Sequence, residues 1–549
     1  MAVIPCAFIN LGNSFLSASS DHYCKVYDNQ TFHDTSPLKN CTIPYDAEDE
    51  GWDSCSRYDI NVSMGISPEL CSQDSGTLEC DNGWVYDRSV YENTVVHEYD
   101  LVCDKDWMKQ LSKSIVPFGN LVGALLCGQL SDIIGRKPVF FISLISSIVV
   151  GAVATVSQTY IMFLICQFLL GLCSTGMFLV GFVIGVELVG TSYRTMCGIV
   201  IEIFFAIGYM FLAVIAAIAN GHWRKIQFVG AVICLIYLPY YWLIPESARW
   251  LIEKKKYNKA EKILHKAATV NKVKLPDDMF DDERKGIMEK NEGAEIEYKE
   301  PQYTMAALFK TPNLRNRTIN ICYNWFAISF VYYGLSLNTA ALGTNPYTAF
   351  LVSGAVEIPA YLLCWFLLDK VGRRWLLCSF NVLGGIALII SVPPENVNIS
   401  AALAMVGKFF IAGSFALVYI FSAEIYPTSV RNAGMGLAST WARVGSISSP
   451  YVMLLIDVWY PLPYLIMAIV AILAGLLTLL LPETNGKDLP DTLEEGELFG
   501  TKHYKKDQPP QTTEVEIQCD MDEMELGSVT DNHLISTQKG VVNGSFKKD

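Results

Sequence analysis

Three short motifs occur twice in this chain of 549 residues, and each recurs after the same interval. Asp132-Ile-Ile-Gly135-Arg136-Lys137 returns as Asp369-Lys-Val-Gly372-Arg373-Arg374. Glu187-Leu-Val-Gly-Thr-Ser-Tyr-Arg194 returns as Glu424-Ile-Tyr-Pro-Thr-Ser-Val-Arg431, and Pro245-Glu246-Ser247 returns as Pro482-Glu483-Thr484. The interval is 237 residues each time (369−132, 424−187 and 482−245). Repeated halves rich in long apolar segments point to a transporter built from two related bundles around a central site.

The apolar segments are membrane-like in length. The chain is 51% hydrophobic and only 17% charged, and its charges are segregated. Runs of about 20 apolar residues read as spanning helices. Eleven qualify: Met108–Leu130, Val139–Val156, Tyr160–Val186, Thr195–Ala219, Ile226–Ile244, Ile319–Leu337, Phe350–Leu368, Trp375–Val392, Ala401–Phe421, Gly434–Ile456 and Leu462–Leu481. A twelfth, Val3–Ala18, is short. No basic residue precedes it, which counts against a signal peptide. The expectation is an all-α membrane protein of two six-helix bundles, residues 1–251 and 315–483, with a truncated first helix.

Lys and Arg in short loops orient the helices. Arg136 and Lys137, Arg194, Arg249, Lys370 to Arg374, and Arg431 fall on one side, taken as cytoplasmic together with both chain ends. Residues 252–314 then form a cytoplasmic linker opening on a basic helical run, and the polar, acidic residues 484–549 a disordered tail. Residues 19–107 lie outside, with 19 acidic against 5 basic side chains. Their six cysteines, Cys24, Cys41, Cys55, Cys71, Cys80 and Cys103, imply three disulfides with the pairing open. Asn29, Asn40 and Asn61 head glycosylation sequons there. There is no basic stripe for nucleic acid, no CxxC pair and no phosphate-cradling glycine loop. The expected partners are therefore a small organic ion and the bilayer, without enzymatic chemistry, cofactor or metal.

The repeated loop charges suggest gating. Asp132, Arg136, Glu187, Arg194, Glu246 and Arg249, with Asp369, Arg373, Glu424, Arg431 and Glu483, sit where charge pairs would latch the inner side and break as it opens. Gly128 is expected to let helices approach, and Gly135 to permit a tight turn. This set resembles the major facilitator superfamily. Pro245-Glu-Ser-Ala-Arg-Trp-Leu251, Val356-Glu-Ile-Pro-Ala-Tyr361, Ala423-Glu-Ile-Tyr-Pro-Thr-Ser-Val-Arg-Asn432 and the six-cysteine segment resemble its organic cation, carnitine and organic anion transporter family across roughly residues 1–490. The resemblance implies twelve helices, alternating access and movement of organic ions across the plasma membrane. It also implies a cytoplasmic segment ahead of the first helix, so that Met1 would fall inside that helix.

Ionisable residues inside membrane helices cost on the order of 2.5–3.5 kcal/mol and mark function. Glu202, Glu357 and Arg443 stand out. They lie roughly 10, 16 and 14 Å from the cytoplasmic boundary at about 1.5 Å per residue. The resemblance places Glu202, Glu357, Arg443, Tyr361, Trp325, Tyr332, Tyr333, Phe415, Tyr419 and Phe178 at the cavity. Arg443 stands where cation carriers of the family have an acid, whereas anion and carnitine carriers have Arg. Tyr361 stands where the anion branch has Lys. Gln167 replaces a common Arg. Two acids, one Arg and no Lys favour an organic cation or zwitterion, such as a quaternary amine, a carnitine-like compound or a biogenic amine. The alternatives are an anion exchanger using Arg443 and a non-transporting receptor or scaffold.

Overall fold

The computed structural model describes residues 3–27, 30–33, 37–46, 51–59, 76–190, 193–275, 280, 305–339, 345–392 and 396–501. Its first half comprises α1 (Ile4–Leu11) and α2 (Asn13–Leu16), then, beyond the external segment that holds α3 (Pro37–Thr42) and α4 (Val95–Tyr99), α5 (Asp106–Ile134), α6 (Arg136–Thr155), α7 (Tyr160–Leu188), α8 (Arg194–Ile218), α9 (Trp223–Leu235) and α10 (Tyr240–Leu243). Helices α11 (Ala248–Glu253) and α12 (Tyr257–Asn271) follow, and Trp250, Leu251, Ala260 and Phe280 form a small core of their own. The second half comprises α13 (Pro312–Leu337), α14 (Pro346–Val371), α15 (Arg373–Ile390), α16 (Val397–Ile425), α17 (Arg431–Val452) and α18 (Leu462–Thr478), with α19 (Leu493–Leu498) after it.

Among the described residues eight helical spans are long and apolar enough to cross a membrane, while Ile4–Leu16 and Leu462–Thr478 are shorter. Several helices outrun the apolar runs: α5 and α16 have 29 residues each, about 43 Å. Helix α13 starts seven residues before its apolar run (319−312) because its first turn is capped. Pro312 occupies the first turn, where a missing N–H costs nothing, and the Glu497 carboxylate accepts from the N–H groups of Asn313 and Leu314, both at 2.9 Å. That cap also corrects the expected onset of disorder. Residues 484–501 are ordered, with Arg317 donating to the carbonyls of Gly496 and Phe499 and Thr428 to that of Asp491. The rest of the tail lies outside the described residues.

Burial is distributed as a bilayer demands. Ile133, Ile161, Ile218, Trp242 and Leu480 are each at least 70% exposed, on faces that only lipid would cover. Two cores form, with Phe15, Phe163 and Trp223 of the first half joined by Phe350 in one, and Trp325, Leu377 and Phe421 of the second half joined by Ile199 in the other.

The cysteine-rich segment 19–107 is built from short antiparallel ribbons. Strand β1 (His22–Cys24) pairs with β6 (Trp84–Tyr86), β2 (Tyr45–Asp46) with β3 (Gly51–Trp52), and β4 (Ser56–Tyr58) with β5 (Thr77–Glu79). Disulfides join Cys24 to Cys80 and Cys55 to Cys103, and Cys41 is also disulfide-bonded. Cys71, Asn29 and Asn61 lie outside the described residues, as does the side chain of Asn40 in α3. His22, Cys55 and Cys103 cluster closely, but both cysteine sulfurs are spent in the disulfide and offer no thiolate to a metal. The segment is tied to the first half. Glu98 accepts from Trp223 Nε1 at 2.7 Å and pairs with Arg224, and Glu92 pairs with Lys225 at 2.7 Å.

The two halves are sealed together on the side of this segment. Ser14 Oγ donates to the Ser336 carbonyl (3.2 Å), Lys113 Nζ to Asn338 Oδ1 (2.9 Å), Ser114 Oγ to the Ile447 carbonyl (2.8 Å) and Tyr347 OH to the Val90 carbonyl (2.7 Å). Phe15 packs on Phe350 with ring centroids 4.6 Å apart.

His97 is a pH-sensitive point of the external segment. Its Nδ1 accepts from the Thr94 N–H in a capping box at the start of α4, so Nε2 carries the proton and donates to Ser20 Oγ at 2.7 Å. Burial, then the Arg88 charge, pushes its pKa down from 6.5 to about 4. The fold holds His97 neutral, so stability is full above pH 6.5 and is lost as pH falls towards about 4. Limited proteolysis of the external segment at pH 7.5 and pH 5 should show faster cleavage at the lower pH. His97→Gln should flatten that difference.

Candidate functional site

The repeated loops build the same knot twice. Glu246 Oε1 accepts from the backbone N–H groups of Arg136 (3.0 Å) and Lys137 (3.2 Å), the first turn of α6. Glu483 does the same for Arg373 (2.9 Å) and Arg374 (3.1 Å), the first turn of α15. Each carboxylate satisfies donors that a helix start leaves open and sits at the positive end of the helix dipole. The arginine side chains complete both knots. Arg136 meets Asp132 at 3.0 Å and Glu187 at 3.8 Å, and Arg373 meets Asp369 and Glu424, both at 3.1 Å.

Gly135 and Gly372 allow the approach. Their φ values are +112° and +91°, and a Cβ would stand 2.5 Å from Glu246 Oε2 and 2.7 Å from Glu483 Oε2. Gly128 has no such duty: a Cβ there meets nothing within 4 Å, which corrects the expected close approach. Each knot closes within its own half. Arg249 is exposed, Arg431 donates to the Tyr426 carbonyl (3.3 Å) instead of joining the knot, and the Arg194 side chain lies outside the described residues.

Between the halves lies a cavity of about 690 Å³, its mouth included. Glu202 and Phe205 reach it from α8, Phe178 and Thr175 from α7, and Asn10 from α1. Tyr332 and Tyr333 come from α13, Tyr361 from α14, Phe415 and Tyr419 from α16, and Arg443 from α17. The aromatic rings touch one another, Tyr332–Phe415 at 5.2 Å, Phe415–Tyr419 at 5.9 Å and Phe178–Phe205 at 6.3 Å. Opposite them runs a polar strip in which Asn120 donates to Asn10 Oδ1 (2.6 Å), Asn10 to Ser174 Oγ (3.0 Å) and Thr175 to Asn120 Oδ1 (3.1 Å). Among the described residues Glu202 and Arg443 make no ion pair with each other; Arg443 donates to Ser439 Oγ at 2.8 Å and also meets the Tyr419 hydroxyl.

Two of the expected cavity residues stand behind its wall. Trp325 is buried, donates to Ser422 Oγ (2.8 Å) and backs Tyr419 at 4.3 Å. Glu357 is fully buried and accepts from Tyr332 OH (2.8 Å) and Tyr361 OH (3.1 Å). Its charge partner is Lys408 of α16, at 3.1 Å. Lys408 also lies 4.4 Å above the Tyr332 ring and 4.9 Å above the Tyr209 ring, and Tyr209 belongs to the other half. Lys408 and Lys113 are the intramembrane charges that the sequence reading lacks. Both were open to the same rule, since each interrupts an apolar run. Lys408 changes the electrostatics: it neutralises Glu357, so Arg443 has no part in doing so, and the cavity is left with one carboxylate and one guanidinium.

This geometry can be set beside known proteins. The profile of the family described as sugar (and other) transporter matches residues 80–494. The chain belongs to this family. Its relatives include the organic cation transporter protein of Drosophila melanogaster, 41% identical over 94% of this chain and 92% of that protein. The human organic cation/carnitine transporter 2 is 36% identical over 92% of this chain and 91% of its own length. Among solved structures, the partially occluded inward-open form of the E. coli xylose transporter XylE aligns with a TM-score of 0.55 at 17% identity, covering 70% of this chain and 90% of that one. At that identity the likeness shows the fold alone, the major facilitator fold. This family member is therefore a multi-pass membrane protein built as a transporter.

Two substitutions test the knots and the buried pair. Gly135→Ala and Gly372→Ala should each lower the amount of folded protein reaching the membrane, while Gly128→Ala should not, as measured by surface labelling. Lys408→Met should be severely destabilising, by about 3–5 kcal/mol, because it strands the Glu357 charge. The double variant Lys408→Met/Glu357→Gln should recover most of the loss in a thermal-stability assay of the purified protein.

Proposed function

We propose that this transporter is a polyspecific plasma-membrane carrier of organic cations and zwitterions, working by alternating access through twelve spans with both chain ends cytoplasmic. The observation that carries the reading is the cavity in which Glu202 and Arg443 both face the space, without an ion-pair partner among the described residues, beside Tyr332, Tyr333, Phe415 and Tyr419. Glu202 attracts an ammonium group, and aromatic faces add roughly 0.5–2 kcal/mol each. Arg443 offers a planar fork to a substrate carboxylate. With Glu357 engaged by Lys408, the open charges sum to zero, which suits a zwitterion as well as a cation. The named activities of the fly and human relatives support the same substrate class. Residues 19–107 are proposed as extracellular, and Asp132, Arg136, Glu187, Glu246 and their repeats as the parts that keep each half rigid while it gates.

Uptake of radiolabelled tetraethylammonium and of a trimethylammonium carboxylate into cells expressing the chain tests this. Glu202→Gln should cut both by about tenfold, the effect of roughly 1.4 kcal/mol in binding. Arg443→Ala should spare the simple cation and cut the zwitterion. If Glu202→Gln leaves amine uptake intact while Arg443→Ala abolishes dicarboxylate uptake, the chain is an anion exchanger.

The sealed outer side reads as an inward-facing state. Lys113 contributes to the seal through a neutral amide, Asn338, and makes no ion pair among the described residues. A buried ammonium held this way is released readily to water. Asn338→Asp would supply a buried counter-charge and over-stabilise the seal. Uptake should fall several-fold at unchanged surface expression, and Lys113→Gln in the same background should restore it.

A further inference from the structure

On the side of the repeated basic loops, a second cleft of about 910 Å³, its mouth included, opens where α13 and α15 begin and α18 ends. Asn313, Asn316, Arg317, Arg374, Phe499 and Gly500 line it. It is separate from the central cavity and shares no residue with it. Its two guanidiniums are spent only on neutral acceptors. Arg317, 8% exposed, donates to the Gly496 and Phe499 carbonyls, and Arg374 Nη1 to the Leu481 carbonyl at 3.4 Å. Arg374 Nε is buried with no hydrogen-bond partner. The neighbouring carboxylates are committed elsewhere, Glu497 to the first turn of α13 and Glu483 to the first turn of α15. Glu497 lies close enough to Arg317 to act on it electrostatically, but among the described residues neither arginine has an ion pair, and Arg374 Nε stays open to an anion at a membrane boundary. Lys310 and Arg315, both exposed, flank the start of α13 and add positive charge there.

The surroundings indicate what kind of anion fits. Ile319 (56% exposed), Trp375 (52%) and Leu480 (76%) belong to the same helix ends and present apolar surface to the bilayer. A ligand with a charged head beside an acyl chain matches both surfaces at once, whereas free phosphate uses only one. We propose that this cleft binds the phosphate-bearing headgroup of an anionic phospholipid from the leaflet on that side. Guanidiniums pair well with phosphate oxygens, and basic pockets between helix ends recognise such headgroups. The proposal depends on the orientation given above only for naming the leaflet as the inner one. By joining α13, α15, α18 and the ordered end of the chain, the lipid would brace the second half.

Native mass spectrometry of the full-length purified protein with phosphatidylserine and phosphatidylcholine tests this. Phosphatidylserine should be retained at least fivefold better. Arg374→Gln should remove most of that preference and Arg374→Lys should keep most of it. Asn316→Lys, at an exposed position of the rim, should strengthen it, which guards against variants that merely fail to fold. Equal retention of the two lipids, or a preference unmoved by both Arg374→Gln and Asn316→Lys, overturns the proposal. So does displacement by millimolar inorganic phosphate, which would make it a free-phosphate site. A several-fold rise in phosphatidylserine retention on removing residues 502–549 would assign the cleft to the acidic chain end instead, and also overturns it.

Discussion

A carboxylate and an ammonium 3.1 Å apart, both shut away from solvent, sit at the centre of the second half. The attraction between Glu357 and Lys408 offsets a desolvation cost that neither could meet alone. Glu357 also fixes two hydroxyls, of Tyr332 and Tyr361, whose rings form the cavity wall. Lys408 lies against Tyr209 of the opposite half, and Tyr209 bonds Ser353 Oγ at 2.9 Å. The wall that meets a substrate and the surface that meets the other half therefore share one ion pair. A ligand that favours one arrangement of Tyr332 or Tyr361 shifts Lys408, and with it the balance between states. A carrier needs that bias to be small in both directions, or the ligand traps one state.

The knots at the repeated loops work on a different principle. Their charges act on helix ends, not across the gap between halves. Glu246 and Glu483 each replace the missing acceptors of a helix start, and Arg136 and Arg373 tie that start to two neighbouring helices. Duplicated machinery is confined to each half, while the cavity is built from unmatched residues: Glu202 + 237 is Ser439, and Arg443 − 237 is Ala206.

Much of this was legible in the chain itself. The 237-residue interval marked Arg136 with Arg373 and Glu246 with Glu483 as equivalent, and the backbone N–H contacts of the two carboxylates agree to within a few tenths of an ångström. Glu202 and Arg443 were visible as charges in apolar runs, and both face the cavity. What sequence could not show was direction. Glu357 is one helical turn from cavity-facing Tyr361 and Trp325 two turns from cavity-facing Tyr332, yet both point into packing. The strip of Asn10, Asn120, Ser174 and Thr175 was hidden for another reason: its members are scattered over 165 positions (175−10) and are individually unremarkable small polar residues. The pairing of Cys24 with Cys80 and Cys55 with Cys103 likewise depends on which ribbons meet, not on spacing.

The cysteine-rich segment 19–107 is riveted to the first half through Glu98, Arg224, Glu92 and Lys225, and meets the second where Val90 and Tyr91 touch Tyr347. It is thus a handle welded to one jaw of a clamp, with its free edge resting on the other. Mechanical load applied to that edge would be felt at the tip of α14 before anything reached the cavity. A soluble macromolecule wedged beneath it would hold the jaws without ever entering the path the cargo takes.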